Sequence, residues 1–248
     1  METHAHHLHK APGKKWSHYL FEFFMLFLAV FCGFLAENLR ENQVEHRHEK
    51  KYIQSLIEDL KIDTAEIRSV ISYNIVKFRG LDTLATLLIK PILSEQDEKD
   101  LYRLNGAYAS NIYTLVFHDG SIRQLVNSGN MRLINQAVSD SIMTYYGLPK
   151  DDLLGQEKIY EEMSKRLVFF AEDIFDKSLS PLKINDDNIF FRERKPGKMS
   201  LMTSEKNILI KYAQSVLTAQ SMLSVYLNML FTVQDRSQKL LAFLEKEY

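Results

Sequence analysis

An apolar run near the start of the chain constrains its structure more than any other feature. The run covers residues 19–36, and Glu22 is its only charged side chain. At about 1.5 Å of rise per residue, a helix of this length extends roughly 27 Å, close to the roughly 30 Å hydrocarbon core of a bilayer. Trp16 and Tyr19 stand where interfacial aromatic residues are expected. The run therefore predicts a transmembrane helix over residues 17–39, with the lipid bilayer as its partner.

Two other interpretations of this run stay open. Lys10, Lys14 and Lys15 precede it, as basic residues precede the apolar core of a cleaved signal peptide. The run is long for a signal peptide, however, and Phe34 occupies a position where cleavage needs a small residue. The third interpretation is a buried helix of a soluble domain.

Glu22 is the most unusual residue of the run. A carboxylate costs about 2.5–3.5 kcal/mol at the centre of a membrane helix and less near the interface. Because Glu22 lies about one turn inside the run, we predict a membrane-embedded polar residue that reaches the headgroups. Contact with another helix or subunit and proton transfer are the alternatives.

Charged residues on the two sides of the run bear on orientation. Three basic residues precede it in the short, His-rich tail of residues 1–16, and four soon follow it, so a count alone does not decide. Long segments translocate largely regardless of their charge, which makes the short basic tail the better guide. We predict a single-pass protein of the cell inner membrane, with a cytoplasmic N-terminus and the bulk of the chain in the periplasm.

The composition favours helices and argues against nucleic-acid binding. Only nine glycines and five prolines interrupt 248 residues. The 31 basic and 32 acidic residues are well mixed, so they provide no basic surface for nucleic acid. The predicted fold is all-α, with an N-terminal transmembrane helix that continues into a long helix, and an antiparallel helical bundle.

Residues 40–90 are predicted to form a long, membrane-proximal amphipathic helix that ends by about Ile89, because Pro91 follows. Apolar residues recur there in steps of four and three, which is a heptad pattern. The pattern predicts a packing seam that pairs with a second copy or another subunit, with Asn74 either fixing its register or lying in solvent. The seam consists of Ile53, Ile57, Leu60, Ile67, Ile71, Asn74 and Phe78, followed by Leu81, with Thr64 at the other polar position.

A second heptad pattern predicts a helix of about forty residues at the C-terminus. The stretch from Tyr212 to Gln234 has no charged residue, which raises the alternative of a second membrane span. Polar residues such as Gln214, Ser221 and Asn228 favour a helix buried in a bundle instead. The pattern comprises Leu209, Tyr212, Val216, Ala219, Leu223, Tyr226, Leu230, Val233, Ser237, Leu240 and Leu244.

The remaining helices of the bundle, residues 91–248, are predicted from their ends and spacing. Ser94 and Asp97 predict a helix start, and the helix should continue through Ile112 and Leu115. Turns are predicted at residues 118–120 and 128–130, and a long loop at residues 179–203. A helix capped by Asp151 or Asp152 should face inward with Leu154, Ile159, Met163, Leu167, Phe170 and Ile174.

Two segments resemble an uncharacterised bacterial family of single-pass membrane proteins, a domain of unknown function. The first joins the Glu-containing anchor to LAENLREN and KKYIQSLIEDLKID. The second carries Leu125, Ser128, Gly129, Leu133, Ile134, Tyr145 and Tyr146. The likeness covers about half the chain and departs at Leu39, where the family usually has Trp. It implies the same topology and supplies no activity.

Several groups of residues have side chains that could take part in catalysis or metal binding, but each group has a simpler explanation. The four histidines in residues 4–9 fit a disordered tail. Glu45 and His48 have the Glu-x-x-His spacing that places two metal ligands on one helix face, but a metal site of this kind needs a second such motif, and the sequence has none. His118, Asp119 and Ser121 contain the residue types of a hydrolytic triad but lie too close along one turn. The basic loop 192–198 lacks the glycine-rich context of a phosphate loop. No catalytic residue, metal site or cofactor is predicted.

Three classes of function follow from these observations. The favoured class is a membrane-anchored helical interaction or scaffold protein without catalysis, whose partner is a second copy or another membrane or envelope protein. The second is an extracytoplasmic ligand-binding or sensory bundle, with a pocket lined by Tyr108, Tyr113, Tyr145 and Tyr146. The third is an enzyme, for which the sequence contains no motif.

Overall fold

The structure, a computed structural model, describes residues 16–109, 111–179, 181–186, 189–192 and 199–248. Its helices are α1 (Trp16–Leu88), α2 (Glu95–Leu104), α3 (Gly120–Asn127), α4 (Gln136–Tyr146), α5 (Leu148–Ala171) and α6 (Lys206–Glu247). A π-helical turn covers Asn105–Ala109, and 3₁₀ turns cover Asn130–Leu133 and Lys177–Leu179. The prediction of an all-α fold with a long N-terminal helix and a helical bundle is confirmed.

The chain divides into two compact units, one up to Lys51 and the other from Tyr52 to Tyr248. In the described part of the first unit, every residue from Trp16 to Glu37 is exposed on α1. In the second unit, the rest of α1 and helices α2 to α6 surround one apolar core.

Within the second unit, α1 and α6 are antiparallel neighbours. Lys61 Nζ lies 2.8 Å from Glu245 Oε1, and the Gln220 side chain donates to the Phe78 carbonyl at 3.1 Å. Residues nearer the C-terminal end of α1 therefore contact residues nearer the N-terminal end of α6. Helix α5 packs along α6, and α4 packs against both.

The C-terminal helix matches its sequence pattern closely. Helix α6 spans 42 residues, and all eleven positions of the predicted heptad pattern are buried, including Ser237. The burial explains why this stretch is apolar enough to resemble a membrane span: almost half of its most apolar window is inside the bundle. Helix α1 ends at Leu88, one residue before the predicted end.

The region after Ser94 corrects one prediction. Ser94 caps α2 as expected, since its hydroxyl accepts from the Asp97 N–H and the Asp97 carboxylate accepts from the Ser94 N–H. The predicted continuation of this helix through Ile112 and Leu115 is wrong, because α2 ends at Leu104 and helical structure ends at Ala109. The two apolar residues had the spacing of a helix, but they lie in a non-helical segment.

Helix α5 corrects two further predictions. It begins at Leu148 with a proline in its first turn, so Pro149 opens a helix and neither Asp151 nor Asp152 caps it. Its buried face includes Leu153, Tyr160 and Leu167, whereas the predicted Leu154 and Ile159 are exposed. Gln156 and Ser164 are also buried on the inward face. Because both are polar, the spacing of apolar residues alone did not identify this face.

The turns and the loop are close to prediction. Gly129 adopts a left-handed backbone with φ of 69° in the turn between α3 and the following 3₁₀ helix. Two short strands, β1 (Leu182–Ile184) and β2 (Phe190–Arg192), pair antiparallel within the predicted loop 179–203. Residues 180, 187–188 and 193–198 of this loop lie outside the described residues.

Candidate functional site

The described part of the first unit presents a helix whose large apolar side chains face solvent on all sides. Leu26, Val30 and Phe34 are each exposed by about two thirds of their surface. Helices α1 and α6 are both long and apolar enough to cross a membrane, but no residue in the most apolar stretch of α1 is buried within the chain. Exposing so many large apolar side chains to water is unfavourable, so this segment is the candidate membrane site.

Glu22 has a local partner on this segment. His18 Nε2 lies 3.1 Å from Glu22 Oε1, one helical turn away, and each side chain is about half exposed. A hydrogen bond to the imidazole lowers the cost of placing a carboxylate near apolar surroundings. Further along the segment the Phe27 and Phe31 rings stack, and Cys32 is exposed as a free thiol. The role of Glu22 stays a prediction.

The residues of the α1 seam lie inside the second unit. Ile53, Leu60, Ile67, Ile71 and Asn74 are buried, while Ile57 and Phe78 are half-buried against the same core. Thr64, at the other polar position, contacts Ser237 of α6 at 3.4 Å. These side chains therefore pack within this chain, in the core of the second unit.

A second stripe of α1, beside the apolar one, holds the segment from Asn111 to Asp119. Lys77 donates to the Asn111 carbonyl, and the Asn74 amide donates to the Tyr113 carbonyl at 2.9 Å. His118 lies beside Asp63, fourteen residues earlier on α1 than Lys77. That part of a helix rises about 21 Å, which seven residues cover only if they are nearly extended. We call this segment the strap.

Carboxylates of α1 hold the second half of the strap and the first turn of α3. The main-chain N–H groups of Val116, His118 and Ser121 donate to Glu66, Asp63 and Asp59, at 3.3, 2.8 and 3.1 Å. On the opposite side, the Leu115 N–H donates to the Tyr226 hydroxyl at 3.1 Å. Side chains thus accept hydrogen bonds from main-chain N–H groups that, in a β-sheet, would donate to a neighbouring strand.

Asp63 is the centre of this arrangement. It is completely buried, and its Oδ1 accepts from both the main-chain N–H and Nδ1 of His118, the latter at 3.0 Å. Burial raises the pKa of the Asp63 carboxyl, and the hydrogen bonds from His118 act in the opposite direction. His118 itself keeps 42% of its side chain exposed.

Tyrosine hydroxyls complete the polar cluster. Asp63 Oδ2 and the hydroxyls of Tyr145 and Tyr146 are buried and have no hydrogen-bond partner among the described residues. Burial raises the pKa of both tyrosines, and the nearby Asp63 charge raises it further. The cluster therefore favours neutral phenols around one buried carboxylate.

The three residues that suggested a triad make separate contacts. His118 bonds to Asp63, the Ser121 N–H bonds to Asp59, and the Asp119 carboxylate pairs with Lys150 and with Arg123. Burial alone would raise the pKa of Asp119, but the hydrogen bond with Lys150 and the positive charges of Lys150 and Arg123 together outweigh that effect and lower it. The described geometry does not join the three side chains as nucleophile, base and orienting acid.

Of the four tyrosines proposed for one pocket, Tyr145 and Tyr146 are adjacent, with ring centroids 4.7 Å apart, whereas Tyr108 and Tyr113 lie elsewhere. Tyr113 lines a shallow cleft with Tyr73, and Tyr145 lines a different cleft between α4 and α6. Tyr108 packs instead against Gly80 of α1. The N-terminal histidines lie outside the described residues, and within the described ranges no three His, Cys, Asp or Glu side chains group as metal ligands.

Sequence reasoning missed the strap-binding stripe, although a signal was present. Polar residues recur on α1 at steps of three, four and eight, on a side of the helix that includes Asn74 of the seam: Asp59, Asp63, Glu66, Asn74 and Lys77. Such spacing places them on one helix face, where they read as a solvated surface unless a partner segment is known.

The fold and these sites define an all-α protein with a candidate membrane-spanning helix and a helical bundle. In the bundle, side chains of α1 form hydrogen bonds with the main chain of the strap. Comparison with known proteins finds no matching family model, no matching curated protein and no matching solved structure.

Proposed function

We propose that the chain is a membrane-anchored helical interaction protein, without catalytic activity, that crosses the bilayer once near its N-terminus. The observation that carries this proposal is the exposed apolar stretch of α1 in the first unit. Its length and composition suit a bilayer, and its surface is not used to build the core of the chain.

The proposed topology places the short basic tail in the cytoplasm and the second unit in the periplasm, with the anchor in the inner membrane. The supporting evidence is the positive charge of the tail and the length of the region after the anchor. Membership of the uncharacterised bacterial family that its two segments resemble is part of the same proposal.

The surface of α6 supports an interaction role. From Tyr212 to Gln234 this helix has no charged residue, and its outer face exposes Leu217, Val225 and Phe231 by 44%, 39% and 45%. Thr218 and Ser221 on this face donate to carbonyls one turn earlier in α6, which satisfies their hydroxyl donors locally. An uncharged surface of this kind suits a second copy of the chain or another membrane or envelope protein.

The anchor can be tested by placing charge in the middle of the apolar segment. With Ala29→Arg and Val30→Arg together, each arginine costs about 2.5–3.5 kcal/mol at the centre of a span, so we expect loss of stable insertion. The measurement is the fraction of protein that stays with cell membranes after an alkaline carbonate wash. The native chain should remain in the membrane pellet and the double variant should not.

A matched control adds two arginines to the same helix outside the segment. Ile62 and Val76 are about half exposed on α1 in the second unit, so Ile62→Arg with Val76→Arg should leave membrane retention unchanged. Release of the native chain by carbonate, or equal retention of both double variants, would contradict the anchor.

A further inference from the structure

A cleft between α4 and the last third of α6 has the composition of a ligand site. It encloses about 420 Å³, within the range of small-molecule sites. Its apolar lining includes Tyr145 and Leu240, both at least 95% buried, and the half-buried Phe243. The cleft lies entirely within the second unit, so the inference does not depend on the membrane anchor.

Arg236 gives the cleft its charge. It is half-buried, and its side chain makes no ion pair or hydrogen bond with any residue that the structure describes. The side chains of Arg68, Arg79 and Arg166 in the same unit also lack such partners, but all three residues are exposed. A guanidinium that is partly removed from water without a partner is unfavourable, and a bound anion would compensate it through charge-assisted hydrogen bonds.

Two neighbouring charges limit what the anion can be. Lys239, one turn after Arg236 in the same cleft, adds positive charge, although its Nζ is also 2.6 Å from Asp235 Oδ2. Asp140 on the α4 wall is negative and accepts from Gln136 at 3.0 Å. Because Asp140 repels a second negative charge, the cleft favours a single anionic group attached to an apolar body.

We propose that this cleft binds a monoanionic amphiphile, whose headgroup pairs with Arg236 and whose alkyl chain covers Leu240 and Phe243. A free long-chain carboxylate and a membrane phospholipid with a monoanionic headgroup share this chemistry.

The test uses the full chain in a neutral detergent and a photoactivatable ten-carbon fatty acid, with cross-linked peptides of α4 and α6 identified by mass spectrometry. Labelling should saturate and be displaced by decanoate. Arg236→Gln should weaken apparent binding at least tenfold, whereas Arg68→Gln, which removes the same charge from an exposed site, should leave it unchanged. Equal labelling of these two variants would overturn the proposal.

Asp140→Asn keeps the proposal testable if Arg236→Gln fails to fold. Asp140 is exposed, so its substitution should preserve the fold, and removal of its negative charge should tighten binding severalfold. Unchanged or weaker binding by Asp140→Asn would contradict the assigned charge pattern. Displacement of the probe by inorganic phosphate at the concentration needed for decanoate would overturn the role of the apolar lining.

A parallel arm identifies the source of the ligand. The full chain in nanodiscs is exposed to photoactivatable phosphatidylglycerol in place of the fatty acid. Arg236-dependent labelling of the same peptides supports a membrane lipid, and labelling by the fatty acid alone supports a free carboxylate. The absence of Arg236-dependent labelling in both arms would overturn the site.

Discussion

Lys77 is a lysine in the interior of the second unit, and its surroundings make stability depend on pH. Only 1% of its surface is exposed, and its ammonium group lies 5.0 Å from the centre of the Tyr160 ring. It donates to the Asn111 carbonyl of the strap. Burial lowers the pKa of Lys77 from 10.5 to about 8.

The lowered pKa of Lys77 predicts that stability rises with pH between about 8 and 10.5. In this range the unfolded chain binds more protons than the folded chain, so raising the pH favours folding. We expect the free energy of unfolding of the native chain, measured by chemical denaturation, to gain about 2–3 kcal/mol relative to Lys77→Met between pH 7 and pH 10.

Arg79→Met is the control for this comparison. Arg79 is exposed on the same helix, and arginine keeps its charge throughout the range. Its difference from the native chain should therefore be the same at both pH values. A parallel stability profile for Lys77→Met and the native chain would show that Lys77 does not titrate in this way.

The sequence could not reveal these residue-scale environments. Lys77 and Asp63 look like ordinary surface charges beside a heptad, because their burial depends on a strap that begins more than thirty residues later. Asn74 was assigned either to a core position or to solvent, and its amide in fact donates to the strap at Tyr113.

At the scale of elements, the contact between α1 and the π-helical turn after α2 depends on one glycine. Gly80 is buried about two turns before the end of α1, and a Cβ atom there would overlap the Tyr108 ring. Glycine lowers the stability of a helix interior, so its presence at this point follows from close approach.

We predict that Gly80→Ala destabilises the second unit despite the better helix propensity of alanine. The propensity gain is about 1 kcal/mol, whereas overpacking of a core costs about 1–3 kcal/mol and here displaces an aromatic ring. The measurement is the midpoint of thermal or denaturant unfolding.

Gly155→Ala provides the opposite case in the same protein. Gly155 lies in the interior of α5, and nothing is within 4 Å of a Cβ atom built there. The alanine variant should gain about 0.5–1 kcal/mol of stability. An equal change for both glycines would mean that the Tyr108 contact has no effect on stability.

The sequence predicted a buried helix face correctly where only one apolar pattern was present. All eleven predicted heptad positions of α6 are buried, and apolar residues occupy every one of them except Ser237. The inward face of α5 was predicted correctly in its second half, where Leu167 is buried and Met163 and Phe170 are partly buried against the core. In its first half, the apolar residues Leu154 and Ile159 were predicted to face inward, one position away from the buried Leu153 and Tyr160. Only packing against α6 decides between two such faces.

For the whole molecule, the decisive question is which compartment holds the second unit. Asp186 is exposed in the connection between β1 and β2, which makes it a suitable reporter position. In a Cys32→Ser background, we predict that Asp186→Cys reacts with a membrane-impermeant maleimide in intact cells, because the proposed topology places it in the periplasm.

Ala11→Cys in the same background reports on the short N-terminal tail. It should react only after the cells are lysed. The reverse pattern would place the second unit in the cytoplasm and direct the search for partners to cytosolic proteins.

The strap sets the chain length that is needed between α2 and α3. Its attachment points lie along a rigid helix from Lys77 to Asp63, and the strap between them is nearly fully extended. Losing one residue removes about 3.3 Å of reach, and gaining one reverses which side chains face the core. Insertions and deletions should therefore be tolerated in the β1–β2 connection but not in residues 111–119.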